Sequence, residues 1–163
     1  MTFQLSNQQV TSKAELYSSL AEQLRHLLAG EEDLIANAAN FSSLVYHSLA
    51  DVNWAGIYLY KDGELVLGPF QGKPACVRIP LGAGVCGTAA KIQQTVLVPN
   101  VHEFPGHIAC DTASNSEVVV PLVRDGKLVG VLDLDSPRLN RFDEEDARGL
   151  AELVRIFMNS VQG

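Results

Sequence analysis

The sequence has little positive charge, no long apolar run and no closely spaced cysteine pair. Twelve Lys and Arg stand against nineteen Asp and Glu in 163 residues, a formal net charge of -7. Phosphate binding needs a basic face, so a nucleic-acid partner is not expected, nor is docking on an anionic membrane surface. No apolar stretch approaches the roughly 20 residues that span a bilayer. The opening residues, MTFQLSNQQV, have neither a basic region nor an apolar core, so no signal peptide is expected. Three cysteines, an odd number with no CxxC pair, fit a reducing, cytoplasmic compartment in which thiols are free at rest and any disulfide is transient. No repeat, linker or low-complexity segment interrupts the chain. A hydrophobic content of 47% is enough for one globular domain with its own core, expected over 1–163.

The three cysteines are Cys76, Cys86 and Cys110, separated by nine and by twenty-three residues. They sit in GKPACV, GAGVCG and GHIACD. Structural cysteines favour apolar runs and behave as small hydrophobes. Loop cysteines beside Gly, His and Asp read instead as a redox set.

Helical signals lie at both ends. Ser12 and Glu15 form a capping box before a stripe of Leu16, Leu20, Leu24, Leu27 and Leu28, and Gly30 stops it. A second helix is expected from Asp33 to about Leu49. A third begins at Asp143 as N-cap, with Phe142 placed to staple onto Ala147, and runs to about Val161. The helices therefore fall at about 12–49 and 143–161, and the sheet and pocket at about 52–136. In NWAGIYLY, Trp54, Gly56, Tyr58 and Tyr60 share one strand face, and Ala55, Ile57 and Leu59 the other. Asp62-Gly63 and Asp125-Gly126 mark hairpin turns, and CVRIP and TVLVP are further strands. Helices at both ends of a mostly antiparallel sheet make an α+β domain. The irregular stretch 99–116, PNVHEFPGHIACDTASNS, is long for a compact domain and reads as a lid over a pocket.

Gly82–Gly87 matches GxGxxG. A dinucleotide site would need a parallel crossover of at least ~10–12 residues, and the helix-like TAAKIQQ is too short. The plainer reading is a Gly-rich turn that brings Cys86 and a short helix against the sheet, whose N-terminus could take a ligand carboxylate. His102, His107, Cys110 and Asp111 fit no structural zinc spacing, so no metal is expected.

Asp133 and Asp135 alternate with Leu132 and Leu134, so both acids share a strand face. An odd loop such as Arg124-Asp125-Gly126 pairs Val123 with Lys127 and brings Glu117 opposite Asp133. An even loop sends Glu117 to the other face. Three acids on one face repel, so at least one should hold a proton or a cation, unless the face is simply solvated. Trp54 and Tyr58 are a core aromatic pair or a pocket wall.

The segments NWAGIYLY, LVLGPFQGKPAC, IPLGAGVCG, HEFPGHIACDTASNSEVVVPL and GVLDLDSPRLNRFDEED resemble the free methionine-(R)-sulfoxide reductases, enzymes built on a single GAF domain. The likeness runs from about Leu16 to the last helix. Its specific parts are the cysteine spacing and the GPFQGKPAC and PGHIACD blocks. The resemblance implies a GAF-type fold, with the terminal helices on one sheet face and a ligand pocket under the long loop on the other. It also implies reduction of free L-methionine-(R)-sulfoxide. Cys110 is then the nucleophile and becomes a sulfenic acid. Cys76 is the better-supported resolving thiol, with Cys86 as substitute or relay, and thioredoxin restores the thiols. Trp54, Tyr58, Glu117, Asp133 and Asp135 become substrate-binding residues, and one of the acids becomes the proton donor. The chemistry needs no metal or flavin, and the family likeness implies a homodimer. The acids' field would oppose the Cys110 thiolate; amides of the 106–116 loop, or His107, are the expected offset. The competing readings are a GAF sensor that binds a small ligand and a thiol switch without a substrate.

Overall fold

In the computed structural model, which describes residues 2–6, 12–108 and 110–162, the Ser12 side chain accepts from the Glu15 amide and opens α1 (Lys13–Leu28). The rest of the amino-terminal stretch and Ala109 of the PGHIACD block lie outside the described residues. Asp33 caps α2 (Leu34–Ser48) by accepting from the Ala36 amide, and Asp143 caps α4 (Glu144–Ser160) through a full capping box with Asp146. These ends form where expected because each cap is local: a short side-chain acceptor meets amides that have no partner inside the helix.

Between α2 and α4 lie β1 (Trp54–Lys61), β2 (Glu64–Gly72), β3 (Arg78–Pro80), α3 (Gly84–Ile92), β4 (Val96–Val98), β5 (Ser116–Arg124) and β6 (Lys127–Ser136). They form one six-stranded sheet in the order β3-β2-β1-β6-β5-β4, and every neighbouring pair is antiparallel. β3 and β4 are opposite edges, so α3 crosses a sheet face and is no parallel crossover. The dinucleotide reading of the GxGxxG match therefore has no structural basis. The lid stretch is not wholly irregular, because Val101–Glu103 make a 3-10 turn.

Both sheet faces are covered. Ala55, Ile57, Leu59, Val118, Val120, Leu132 and Leu134 pack with α1, α2 and α4 into the larger core. On the other face Trp54, Tyr58, Val119 and Val131 pack with Val85, Cys86, Ala89 and Ala90 of α3. Burial of apolar area at roughly 25 cal/mol per Å² on both faces is the main favourable contribution. α1 and α4 are also tied by buried Asp146, which accepts from Tyr17 Oη at 2.7 Å and from Lys13 Nζ at 2.6 Å.

The β5–β6 hairpin departs from the counted register. Its loop is even: Arg124 pairs with Lys127 across Asp125 and Gly126, both with positive φ, which suits a tight two-residue turn. Such a loop alone would send Glu117 to the helix-covered face. A bulge between Leu122 and Val123 shifts the register, so Leu122 pairs with Gly130. Glu117 returns to the pocket face, opposite Asp135 and not Asp133. The bulge lies where Gly130 meets β1, and a Cβ on Gly130 would overlap the Tyr58 carbonyl oxygen. Gly130→Ala is therefore expected to destabilise the fold by ~1–3 kcal/mol, the usual cost of overpacking, measured as a lowered urea midpoint at unchanged m.

Candidate active site

The pocket-facing ends of β1, β5 and β6, the first turn of α3, residues 73–75 and the lid residues His107, Ile108, Cys110, Asp111 and Ser114 line one cavity of about 40 Å³. Sheet pairing fixes its floor. Asp135 lies between Trp54 on β1 and Glu117 on β5, and Asp133 lies between Gly56 and Val119. Gly56 is required here, because a Cβ would run into the Trp54 ring. That space lets Trp54 stack on Phe70 at 5.3 Å between centroids and on Tyr58 at 5.9 Å. Trp54 Nε1 donates to the Lys73 carbonyl at 3.1 Å, and Tyr58 Oη donates to the Cys76 carbonyl at 3.0 Å. The two aromatics thus wall the cavity and also hold the segment that carries Cys76.

Cys76 and Cys110 form a disulfide with Cα atoms 5.8 Å apart. It joins the 73–77 segment to the lid at the cavity edge. Cys86 was expected in a loop, but it is buried in the first turn of α3. The helix starts at Gly84, earlier than TAAKIQQ suggested, because Gly84 adopts the positive φ of 61° from which the chain turns inward. Cys86 Sγ donates to Glu117 Oε1 at 3.9 Å, a weak thiol contact.

Burial and mutual repulsion favour the protonated forms of the three acids. Burial, and then the Asp135 charge, push Glu117 up to about 8. Asp133 is raised well above the carboxylate range by burial and by Glu117. Asp135 is raised by burial, then by Asp133 and Asp111. Burial and the same carboxylates also raise the Cys86 thiol. Asp133 Oδ1 is buried with no partner among the described residues, so a polar ligand atom could dock on it. One ligand atom each from Cys86, Glu117 and Asp133 lie within 4.8 Å of one another, a set that could also surround a cation.

This arrangement weakens the electrostatic objection to a thiolate at Cys110, because each proton the cluster holds removes a negative charge from its field. His107 is a weak source of the expected offset: its Nε2 lies 3.6 Å from Glu117 Oε2, and burial lowers its pKa, which favours the neutral ring. All eight residues expected at the site, Trp54, Tyr58, Cys76, Cys86, Cys110, Glu117, Asp133 and Asp135, converge on this cavity or its edge. His102 does not; its ring bonds Asn115 at 2.8 Å on the surface. Asn53 went unnoticed in the sequence. Its Nδ2 donates to Asp111 Oδ2 and Ser114 Oγ, both at 3.2 Å, pinning the lid to the start of β1. A lone Asn before a strand carries no signal that would have found it.

Comparison with known proteins agrees with this picture. A family model for the GAF domain matches residues 36–160. The free methionine-R-sulfoxide reductase of Escherichia coli strain K12 is 54% identical over 143 residues, which are 88% of this chain and 87% of that protein. The crystal structure of the free methionine-R-sulfoxide reductase from Neisseria meningitidis, in complex with its substrate, superposes with a TM-score of 0.93 at 43% identity and covers 98% of this chain and 95% of that one. A solved structure from Burkholderia vietnamiensis, described as a GAF sensor protein, is 64% identical with a TM-score of 0.90, covering 93% of this chain and 96% of that one.

Proposed function

The chain belongs to the free methionine-R-sulfoxide reductases built on a GAF domain, and from that premise we propose that it reduces free L-methionine-(R)-sulfoxide to L-methionine. One observation carries the reading: a disulfide between Cys76 and Cys110 at the edge of a cavity floored by three buried carboxyls.

The cycle starts from the dithiol. The Cys110 thiolate attacks the sulfoxide sulfur while a protonated acid, Glu117 in our assignment, gives its proton to the leaving oxygen. In the adduct the hydroxyl passes from the methionine sulfur to the Cys110 sulfur as the bond between the two sulfurs breaks, so methionine departs as the thioether and Cys110 is left as a sulfenic acid. The Cys76 thiol attacks that sulfur, forming the disulfide and releasing water. Two electrons have then passed from two thiols to the sulfoxide. A protein dithiol of the thioredoxin type returns them by exchange. Asp133 and Asp135 are the partners for the substrate ammonium, Trp54 and Tyr58 lie against its thioether end, and the N-terminus of α3 faces its carboxylate. Cys86 stays a buried thiol beside Glu117 and takes no part in resolution.

A cavity of about 40 Å³ has room for a few waters only. In the disulfide form the pocket is thus too small for an amino acid, and substrate binds after reduction frees the lid. A pocket recessed under the lid also disfavours a residue inside a polypeptide. The likeness to a protein described as a GAF sensor leaves simple ligand binding as the second reading.

The resolving role is tested with Cys76→Ser. A single turnover of the reduced variant should yield close to one methionine per enzyme, because the nucleophile and the acids are intact. Sustained thioredoxin-driven turnover should collapse. Normal multiple turnover would reject Cys76 as resolving thiol.

A further inference from the structure

The two sulfurs of the disulfide are not equivalent. Cys110 is exposed, whereas Cys76 is half-buried. The Cys76 segment is tied down by three hydrogen bonds. Trp54 Nε1 donates to the Lys73 carbonyl, Tyr58 Oη to the Cys76 carbonyl, and the Leu67 amide to the Val77 carbonyl at 2.9 Å. Charge differs as well. Cys110 is followed by Asp111, whereas Lys73, three residues before Cys76, lines the cavity; Arg78 is engaged in an ion pair with Glu64. Nearby positive charge favours a thiolate, and a disulfide breaks faster when the departing sulfur is the better thiolate.

An apolar rim flanks this bond. Val77, next to Cys76, is 61% exposed, and Ile108, two residues before Cys110, is 38% exposed. Ile108 lies against Gly84 at the start of α3, so the rim continues onto the pocket mouth. A reductant that reaches this bond from solvent meets these exposed sequence neighbours of its two cysteines. A protein bearing its reactive thiol on an apolar surface would cover them.

We propose that a protein dithiol docks over Val77 and Ile108 and that its thiolate attacks Cys110 Sγ, expelling Cys76 as the leaving thiolate. This rests on the reading of the disulfide as the oxidised product of turnover. The first exchange breaks Cys76–Cys110 and makes a mixed disulfide between Cys110 and the reductant. The reductant's second thiol then attacks its own sulfur in that bond and frees Cys110. The reductant leaves as a disulfide, having lost two electrons, and its two thiol protons pass to Cys76 and Cys110. Attack in this sense places the partner on the lid. Cys76 remains on its anchored segment, in position for the next cycle.

The test uses the oxidised wild-type chain and a thioredoxin whose second active-site cysteine is serine, so that the mixed disulfide persists. The freed thiol is alkylated at once, and peptides are mapped by mass spectrometry without reduction. The expected product carries thioredoxin on Cys110 and the alkyl group on Cys76. Thioredoxin on Cys76, or an even division, overturns the assignment. The docking surface is tested with Val77→Asp, which lies outside the cavity lining. Its rate with thioredoxin should fall about tenfold, the effect of removing a good interface contact, while turnover driven by dithiothreitol is unchanged. Equal rates with thioredoxin, or equal losses with both reductants, overturn the docking site. Methionine formation with dithiothreitol separately establishes whether the chain is a reductase, so failure of that reading is distinguishable from failure of this one.

Discussion

Cys110→Ser should reduce methionine formation to background, a loss of at least ~10³-fold in kcat. The serine hydroxyl has nearly the same shape but is far less acidic and a poor nucleophile toward sulfur. Cys86 cannot replace the lost thiol, because it is buried in α3 and its thiol is held protonated by burial and by Asp133 and Glu117. The variant also cannot form the disulfide, whose usual stabilisation is ~2–4 kcal/mol. Activity and thermal midpoint should therefore both be compared with fully reduced wild type. In that comparison stability should match and only chemistry should be lost. Substantial turnover by the serine variant would remove Cys110 from the mechanism.

Glu117→Gln should lower kcat by ~10²–10⁴, the usual span for a positioned proton donor. An amide can hydrogen-bond the sulfoxide oxygen but cannot protonate it. In wild type, a carboxyl that titrates near 8 should make kcat fall as pH rises through that region, and the variant should lose this limb. Stability should move the other way. Between the ordinary Glu value of 4.5 and about 8 the folded chain keeps the Glu117 proton and the unfolded chain does not. Stability from this group is therefore complete below about 4.5 and is lost as pH rises through about 8. The neutral glutamine escapes that loss. Glu117→Gln should melt above wild type at pH 9 and close to it at pH 4, with both proteins in the same redox state. A variant that is less active yet more stable at alkaline pH is the signature of a functional buried acid. Equal melting differences at both pH values would show that Glu117 does not hold the extra proton.

The parts of the fold legible in the sequence were those fixed over a few residues. Ser12, Asp33 and Asp143 cap their helices through their own neighbours, and Asp62-Gly63 and Asp125-Gly126 turn because those residue types accept positive φ. The alternation in β1 separated Trp54 and Tyr58 from Ala55, Ile57 and Leu59 correctly, since strand faces follow from period two alone. The register of β5 on β6 was not legible. An even turn and a bulge together give the same face as an odd turn, and the bulge sits where Gly130 meets β1, far away in sequence. Cys86 was half legible for a related reason: its approach to the sheet was expected, its seat inside the helix was not. A Gly-rich stretch reads as a loop, yet Gly84 there begins a helix that the sheet buries. That Asp133 and Asp135 would share a face followed from their spacing, whereas the face of Glu117 stayed open with the loop length, and a proton or cation on the cluster was one reading beside a solvated face. How strongly the acids hold protons depends on burial beneath α3 and the lid, which no local pattern encodes. The bond between Cys76 and Cys110 came only from the family resemblance, because three cysteines allow three pairings.

The most direct test of the account is methionine release from the reduced wild-type chain, driven by dithiothreitol. It is offered free methionine-(R)-sulfoxide, the free (S) epimer and a peptide-bound (R)-sulfoxide in parallel. We predict methionine from the free (R) epimer alone. No product from any of the three, or equal rates with the free and peptide-bound sulfoxides, would contradict a closed-pocket reductase.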